Sequence, residues 1–370
     1  MKIVFTGGGT MGHIFPIIAV VRELRNLYPG ENLKIYYLGP KQQYGTLLFK
    51  ELDVKVKHII TGKIRRYFSF HNILDIFKVP LGFLQSLFLL FFTAPDFVYS
   101  KGGYGSFPVS LACLFLRTPL ILQESDVAPG LASKISSKWA VEIFTSFPNT
   151  EYFPKDKIIC MGNPIRKELL KGEKRKALEL LKMKGNKTVL LILGGSLGSQ
   201  RINSIILEIL PDLIKNFEII HQTGKENFKL VEPEAKAILG KEQSKYYHGF
   251  GFLNEEQLKH ALCASDLVIS RAGSSALFEI AGAKKPAILI PLAESAQDHQ
   301  SKNAFHFAQM GGGEVIEEQN LKPNFFLQKI ETVLHNKEAM KIMGENSASF
   351  AKPEAATKIA NYLLEYLSLI

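Results

Sequence analysis

Thr6–His13, read TGGGTMGH, places glycines at the spacing Gly7-x-Gly9-x-x-Gly12 between a strand-like run, Met1–Phe5, and a helical stretch, Ile17–Leu27. That spacing is the dinucleotide-binding fingerprint, in which backbone closely approaches a pyrophosphate at a helix N-terminus. A nicotinamide site of this kind needs an acidic residue at the end of the second strand to hold the ribose hydroxyls. Here that strand ends in YYLGPK, Tyr36–Lys41, without a carboxylate, so a nicotinamide oxidoreductase loses its main support. His13 is out of place in such a turn. At a helix N-terminus the positive end of the dipole favours the neutral imidazole, which can accept a proton, making His13 a candidate general base. Lone histidines are more often structural, but the glycine turn argues for chemistry.

Two further turns follow strand-like runs: SKGGYGSFP, Ser100–Pro108, and LQESDVAPG, Leu122–Gly130. Small and polar residues at three strand ends suggest one lined cleft. Glu124 is the rival base, because a carboxylate at a neighbouring strand end can reach the same hydroxyl or orient the imidazole. In the second half, GGSLGSQ (Gly194–Gln200) offers backbone amides and the Ser196 hydroxyl at a helix start, which suits phosphate. The run Ser270–Pro291 carries Gly273, Ser274 and Ser275 for a diphosphate, then Glu279 where a carboxylate can take the two hydroxyls of a ribose. The apolar residues around Glu279 predict that it is buried with a partner. After the next strand, Asp298, His299, Gln300 and Asn303 are candidates to reach a sugar. No Asp-x-Asp and no Walker A motif occurs. The charge of a diphosphate leaving group must then be met by helix dipoles, amides and a cation, and Arg166 in GNPIR is the cation best placed by sequence.

The elements that must position these residues alternate. Strand-like runs at Lys2–Phe5, Leu33–Leu38, Val56–Ile59, Phe97–Ser100, Leu120–Gln123 and Ile143–Thr145 are mostly separated by helical stretches. This is the rhythm of a parallel α/β sheet. It pauses near Met161–Pro164, and Thr188–Asn203 then repeats the opening design of strand, glycine turn and helix. Further strands are expected at Glu218–Gln222, Leu267–Ser270 and Ala287–Leu292. The expectation is an α/β protein of two Rossmann-like domains facing a cleft. Residues 1–163 form the acceptor and membrane domain and 164–345 the donor domain, with a helical segment, 346–370, packing back on the first.

The length of 370 residues agrees with two domains, and 46% hydrophobic content with a globular chain. Cys113, Cys160 and Cys263 are far apart, which argues for a reducing compartment and against a zinc or disulfide framework. A strand at the start in place of a basic region and apolar core predicts no signal peptide and a cytoplasmic protein. The net charge of +10 suits phosphorylated substrates or an anionic membrane, whereas no nucleic-acid module is present. Ile73–Pro95 is almost wholly apolar but interrupted at Pro80 and Gly82, leaving too short a run to span a bilayer. With Lys63, Arg65 and Arg66 upstream, it reads both as a helix covering the sheet and as an interfacial patch for anionic lipid.

In order, TGGGTMGHIFP, GGYGSFP, GNPIR, GGSLGSQRIN, SRAGSSALFEIAGAKKPAILIP and DHQSKNA resemble the MurG family of bacterial glycosyltransferases, from Lys2 to about Asn303. The resemblance implies a GT-B fold and an inverting transfer of N-acetylglucosamine from UDP-GlcNAc to lipid I (undecaprenyl-pyrophosphoryl-MurNAc-pentapeptide), giving lipid II for peptidoglycan. It implies no cofactor or essential metal, since UDP-GlcNAc is a substrate. The implied place is the cytoplasmic face of the bacterial inner membrane, with cell-wall synthesis proteins as partners. By position, it places Thr10, Met11, Gly12, Arg166, Ser196, Leu253, Ser274, Ser275, Ala276, Glu279 and Gln300 against the donor. It likewise places His13, Tyr104 and Asp126 against the acceptor and the reacting centre. The segment GFGFLNEEQL around Leu253 carries extra residues against the family's pattern. Where the family usually reads His-Glu-Gln-Asn, this chain has Gln123-Glu124-Ser125-Asp126. The asparagine that contacts a sugar amide on the donor becomes Asp126, an acceptor unless protonated. The other readings are a different UDP-sugar enzyme of this fold (a glycolipid synthase or UDP-GlcNAc epimerase) and a non-catalytic membrane scaffold. An epimerase needs no lipid patch, so Ile73–Pro95 discriminates.

Overall fold

Strands buried on both faces read as continuous apolar runs, and the chain supplies them as KIVFT and TVLLIL at the centres of two parallel sheets. The computed structural model describes residues 1–62, 70–148 and 152–369, with the side chains of 70–77 outside that description. The basic residues Lys63, Arg65 and Arg66 lie outside the described residues. The chain divides into two units: Met1–Arg166 with Lys352–Ile370, and Lys167–Ala351.

In the first unit the order is β1 (Lys2–Thr6), α1 (Met11–Leu27), β2 (Lys34–Gly39), α2 (Gln43–Glu51), β3 (Lys55–His58), α3 (Phe70–Thr93), β4 (Phe97–Ser100), α4 (Phe107–Leu116), β5 (Leu120–Glu124), α5 (Leu131–Ser136), β6 (Glu142–Thr145) and β7 (Ile158–Cys160). The strands lie in the order β3-β2-β1-β4-β5-β6-β7, all parallel. Successive side chains of a strand point to opposite faces. Ile3 and Phe5 therefore pack against α1, while Val4 packs on the face covered by α3 and α4.

The second unit runs α6 (Lys174–Leu180), β8 (Thr188–Leu193), α7 (Gln200–Asn216), β9 (Phe217–Gln222), α8 (Lys225–Gln243), β10 (Tyr247–Phe250), α9 (Glu255–Ala264), β11 (Leu267–Ser270), α10 (Ser274–Gly282), β12 (Ala287–Leu289), α11 (His299–Gln309), β13 (Gly313–Val315), α12 (Pro323–His335) and α13 (Lys337–Phe350). Its sheet order is β10-β9-β8-β11-β12-β13. In both sheets the chain first works outward from the central strand and then crosses to its other side. The topological switch points are thus β1/β4 and β8/β11, and ligands of open α/β sheets bind beyond the carboxyl ends of strands at such points.

The last helix, α14 (Ala355–Leu369), completes the first unit. Ile359, Leu363 and Leu367 join the core built by α1 and the first sheet. Tyr362 and Tyr366 meet Phe144 and Phe97 edge to face, and Thr357 donates to Glu23 on α1.

Two expectations are corrected. The first long helix opens at Met11 and runs through Pro16, so Met11, Gly12 and His13 form its first turn with Thr10 as N-cap. Pro80 does not interrupt α3, which continues to Thr93, and among the described residues no helix is long and apolar enough to cross a membrane.

Candidate active site

In the first unit the turns after β1 and β4 converge on His13. Gly9 has φ +106°, and a side chain there would run into the ring of Tyr104, which lies on this glycine. Gly103 has φ +80°, and a Cβ on it would sit 3.0 Å from His13 Nε2. Only glycine combines that left-handed backbone with such close approach. On its other side the imidazole places Nδ1 3.2 Å from Thr10 Oγ1. His13 is the third residue of α1, at the positive end of the helix.

Glu124 ends β5 and is buried at 6% exposure, with Oε1 accepting from the amides of Ser125 at 2.9 Å and Asp126 at 3.1 Å. Burial raises its pKa, the neighbouring Asp126 adds to this, and Lys101, the Ser133 hydroxyl and the Asp126 amide offset part of it. Lys101 follows β4 and is itself 3% exposed. Burial lowers the pKa of its ammonium, while Glu124 and Asp126 pull it back up. Nothing in the sequence reading singled out Lys101; the signal available was a lysine between a strand end and two glycines. Arg166 is also buried, its guanidinium 3.6 Å above the ring of Phe15, so it is held by a cation–π stack within this unit.

In the second unit the turn Gly194–Gly198 follows β8, and Ser196 lies within it; the N-cap of α7 is Ser199, whose Oγ accepts from Ile202 N. Arg271, after β11, donates to the same Ser199 Oγ at 2.6 Å and to Glu318 Oε1 at 2.5 Å, tying the turn after β11 to the start of α7. Gln222 at the end of β9 adds a second tie, donating to Gly195 O at 3.1 Å and accepting from Leu253 N at 2.9 Å. Leu253 is thus positioned through its amide, and its side chain is 2% exposed. Helix α10 begins at Ser274 behind Gly273, so Ser274, Ser275 and Ala276 form its first turn, where amides favour an anion. Glu279 is buried one turn further on. Gln297 and Asp298 both adopt left-handed backbone, φ 55°, before α11 opens at His299. Gln300 Oε1 accepts from Leu292 N at 3.0 Å. Asn303 does not reach outward as expected. It is fully buried and donates to Ala272 O at 3.2 Å, stapling α11 to the turn that precedes α10.

Residues 3–145 match the glycosyltransferase family 28 N-terminal domain, and residues 189–359 the family 28 C-terminal domain. A UDP-N-acetylglucosamine–N-acetylmuramyl-(pentapeptide) pyrophosphoryl-undecaprenol N-acetylglucosamine transferase 2 of Bacillus anthracis is 38% identical over 342 residues, 92% of this chain and 93% of that protein. A transferase of the same description, without the number, from Treponema denticola is 35% identical and covers 99% of this chain and 98% of its own. The chain belongs to the MurG family. The crystal structure of Acinetobacter baumannii MurG superimposes with a TM-score of 0.71 at 23% identity, covering 98% of this chain and 99% of that one. A UDP-GlcNAc 2-epimerase from Neisseria meningitidis, bound to UDP-GlcNAc, gives 0.69 at 15% identity, covering 99% of this chain and 100% of that one. Likeness at that identity carries the GT-B fold and nothing narrower.

Over its described side chains, α3 carries apolar residues on both its buried and its exposed sides. Gly82, Ser86 and Leu90 face the core, whereas Leu84, Phe88, Phe91 and Phe92 are 60–69% exposed. Leu114 and Phe115 on α4 extend the exposed surface, and Lys57 and His58 line a shallow hollow with Leu84 and Phe88. One face of the helix thus covers the sheet, and the other is left exposed. Among the described residues no group of three metal-ligating side chains is gathered.

Proposed function

We infer that this chain transfers N-acetylglucosamine from UDP-GlcNAc to the MurNAc of lipid I, forming lipid II for the peptidoglycan of the cell wall. Near full-length identity of 35–38% to transferases bearing that description carries the inference. In this reading the second unit holds the donor. The first turn of α10 and the Ser196 turn receive the diphosphate with Arg166, and Glu279 binds the ribose hydroxyls. Thr10, Met11, Gly12, Leu253, Asp126 and Gln300 complete the donor contacts. The acceptor hydroxyl, held near Tyr104 and Asp126, loses its proton to His13 or Glu124 and attacks the anomeric carbon as UDP departs, inverting its configuration. Fixed dipoles and a cation supply the leaving-group stabilisation, so the reaction proceeds without added metal. The test is transfer of labelled GlcNAc from UDP-GlcNAc to a lipid I analogue, in chelator and in magnesium. Release of free sugar or an epimer with no labelled disaccharide would reject the transferase.

The exposed face of α3 and α4 is the membrane-docking surface of this reading, placing the enzyme peripherally on the cytoplasmic face of the inner membrane. What supports it is the group of exposed apolar side chains on the two helices, with Lys57 lining the hollow beside Leu84 and Phe88 as a cation suited to acidic headgroups. Phe88→Ser with Phe91→Ser should release the protein from anionic vesicles in a sedimentation assay, since each buried phenylalanine contributes about 1.5–3 kcal/mol. Undiminished sedimentation of a folded variant would reject the surface.

A further inference from the structure

We propose that His221 is a positioning residue for the donor diphosphate, holding the Gly194–Gly198 turn in place through Asn203 and Thr223. This rests on the reading of that turn as a seat for the diphosphate. His221 lies in β9, and Tyr247 of β10 pairs with Ile219 two residues earlier, so the two side chains share one face of the sheet. Their rings meet edge to face with centroids 6.0 Å apart, and Asn203 reaches the imidazole from near the start of α7. His221, Asn203, Thr223 and Tyr247 are all buried.

The hydrogen bonds leave one arrangement. Thr223 O can only accept, and Asn203 Nδ2 donates to it at 3.0 Å. Asn203 Oδ1 is then turned to His221 Nε2 at 3.1 Å, so that nitrogen carries the proton. Nδ1 is left as the acceptor, and the Tyr247 hydroxyl donates to it at 3.0 Å. Burial pushes the pKa of His221 down to about 3, so protonation does not break this chain near neutral pH. Its far end is the turn itself. A Cβ on Gly198 would collide with the Thr223 carbonyl, and one on Gly224 with the Leu197 carbonyl, so residues 197–198 lie directly on 223–224. His221 thus fixes Asn203, Asn203 fixes the Thr223 carbonyl, and Gly198 rests on that carbonyl. A buried imidazole is costly unless its nitrogens are bonded, and a satisfied buried network rigidifies what it touches.

The test compares UDP, by calorimetry, with uridine, by NMR titration, on full-length variants. His221→Phe keeps a buried ring and removes both hydrogen bonds. It should weaken UDP about tenfold, the worth of about one hydrogen bond, while uridine, which lacks the phosphates, binds as to wild type. His221→Gln, with one donor and one acceptor, should recover most of the loss. Hydrogen exchange at the amides of residues 195–199 is a readout independent of ligand, and it should quicken in His221→Phe. Unchanged exchange in a folded variant overturns the proposal. Equal losses for UDP and uridine overturn it too, since they mark a general loss of structure. If exchange quickens while both ligands bind as before, His221 still holds the turn and the turn is not the diphosphate seat, so the two readings fail separately. Should His221→Phe not fold, Tyr247→Phe removes only the hydroxyl on Nδ1. It must then quicken the same exchange and weaken UDP alone, and failure to do so overturns the proposal.

Discussion

Alanine in place of His13 is expected to lower kcat by about 10²–10⁴-fold, the usual contribution of a general base, while UDP-GlcNAc affinity measured by calorimetry stays nearly unchanged. The expectation follows from where the imidazole sits. It stands in the first turn of α1, with one ring nitrogen beside Thr10 and the other beside the glycine backbone that follows β4, where a substrate can approach without meeting a side chain. Collapse of donor affinity would instead make His13 a phosphate or structural residue. Glu124→Gln separates the rivals, because it keeps the shape and removes the base. If it abolishes turnover while His13→Ala barely changes it, the proton goes to Glu124, and the imidazole at most orients the hydroxyl.

The second large effect is on donor binding. Glu279→Ala should weaken UDP-GlcNAc by about 10–150-fold, the equivalent of the 1.5–3 kcal/mol typical of hydrogen bonds to a charged group. Burial of this carboxylate beyond the first turn of α10 raises the value of such bonds, since water competes poorly for it there. A uridine diphosphate lacking the ribose hydroxyls supplies the control. Wild type should lose most of the same factor toward it, and Glu279→Ala should not discriminate. Unchanged affinity of the folded variant for UDP-GlcNAc would remove Glu279 from the ribose site.

Two α/β domains, each opening on a strand followed by a glycine turn, were legible in the sequence because those signals are local. A buried parallel strand is a run of apolar neighbours, and a left-handed turn needs glycine at the residue itself. The strands that escaped notice, β7, β10 and β13, all lie at sheet edges, where one flank is unpaired and the run is short and mixed. Pro16 and Pro80 suggested breaks, yet α1 and α3 run on through them, and in α1 the buried Ile14 and Ile17 hold the helix on either side of the ring. Side-chain placement divided the same way. The seat of Ser274 at the start of α10 and the burial of Glu279 could be read from the sequence, whereas Asn303 looked able to reach a sugar and is instead buried against Ala272. Lys101, Gln222 and Arg271 acquire their meaning only from the strand order, since it is the sheet, and no sequence spacing, that brings Lys101 to Glu124, Gln222 to Leu253 and Arg271 to Ser199. Local conformation is encoded by near neighbours, but the company a buried charge keeps is decided by which strands pair.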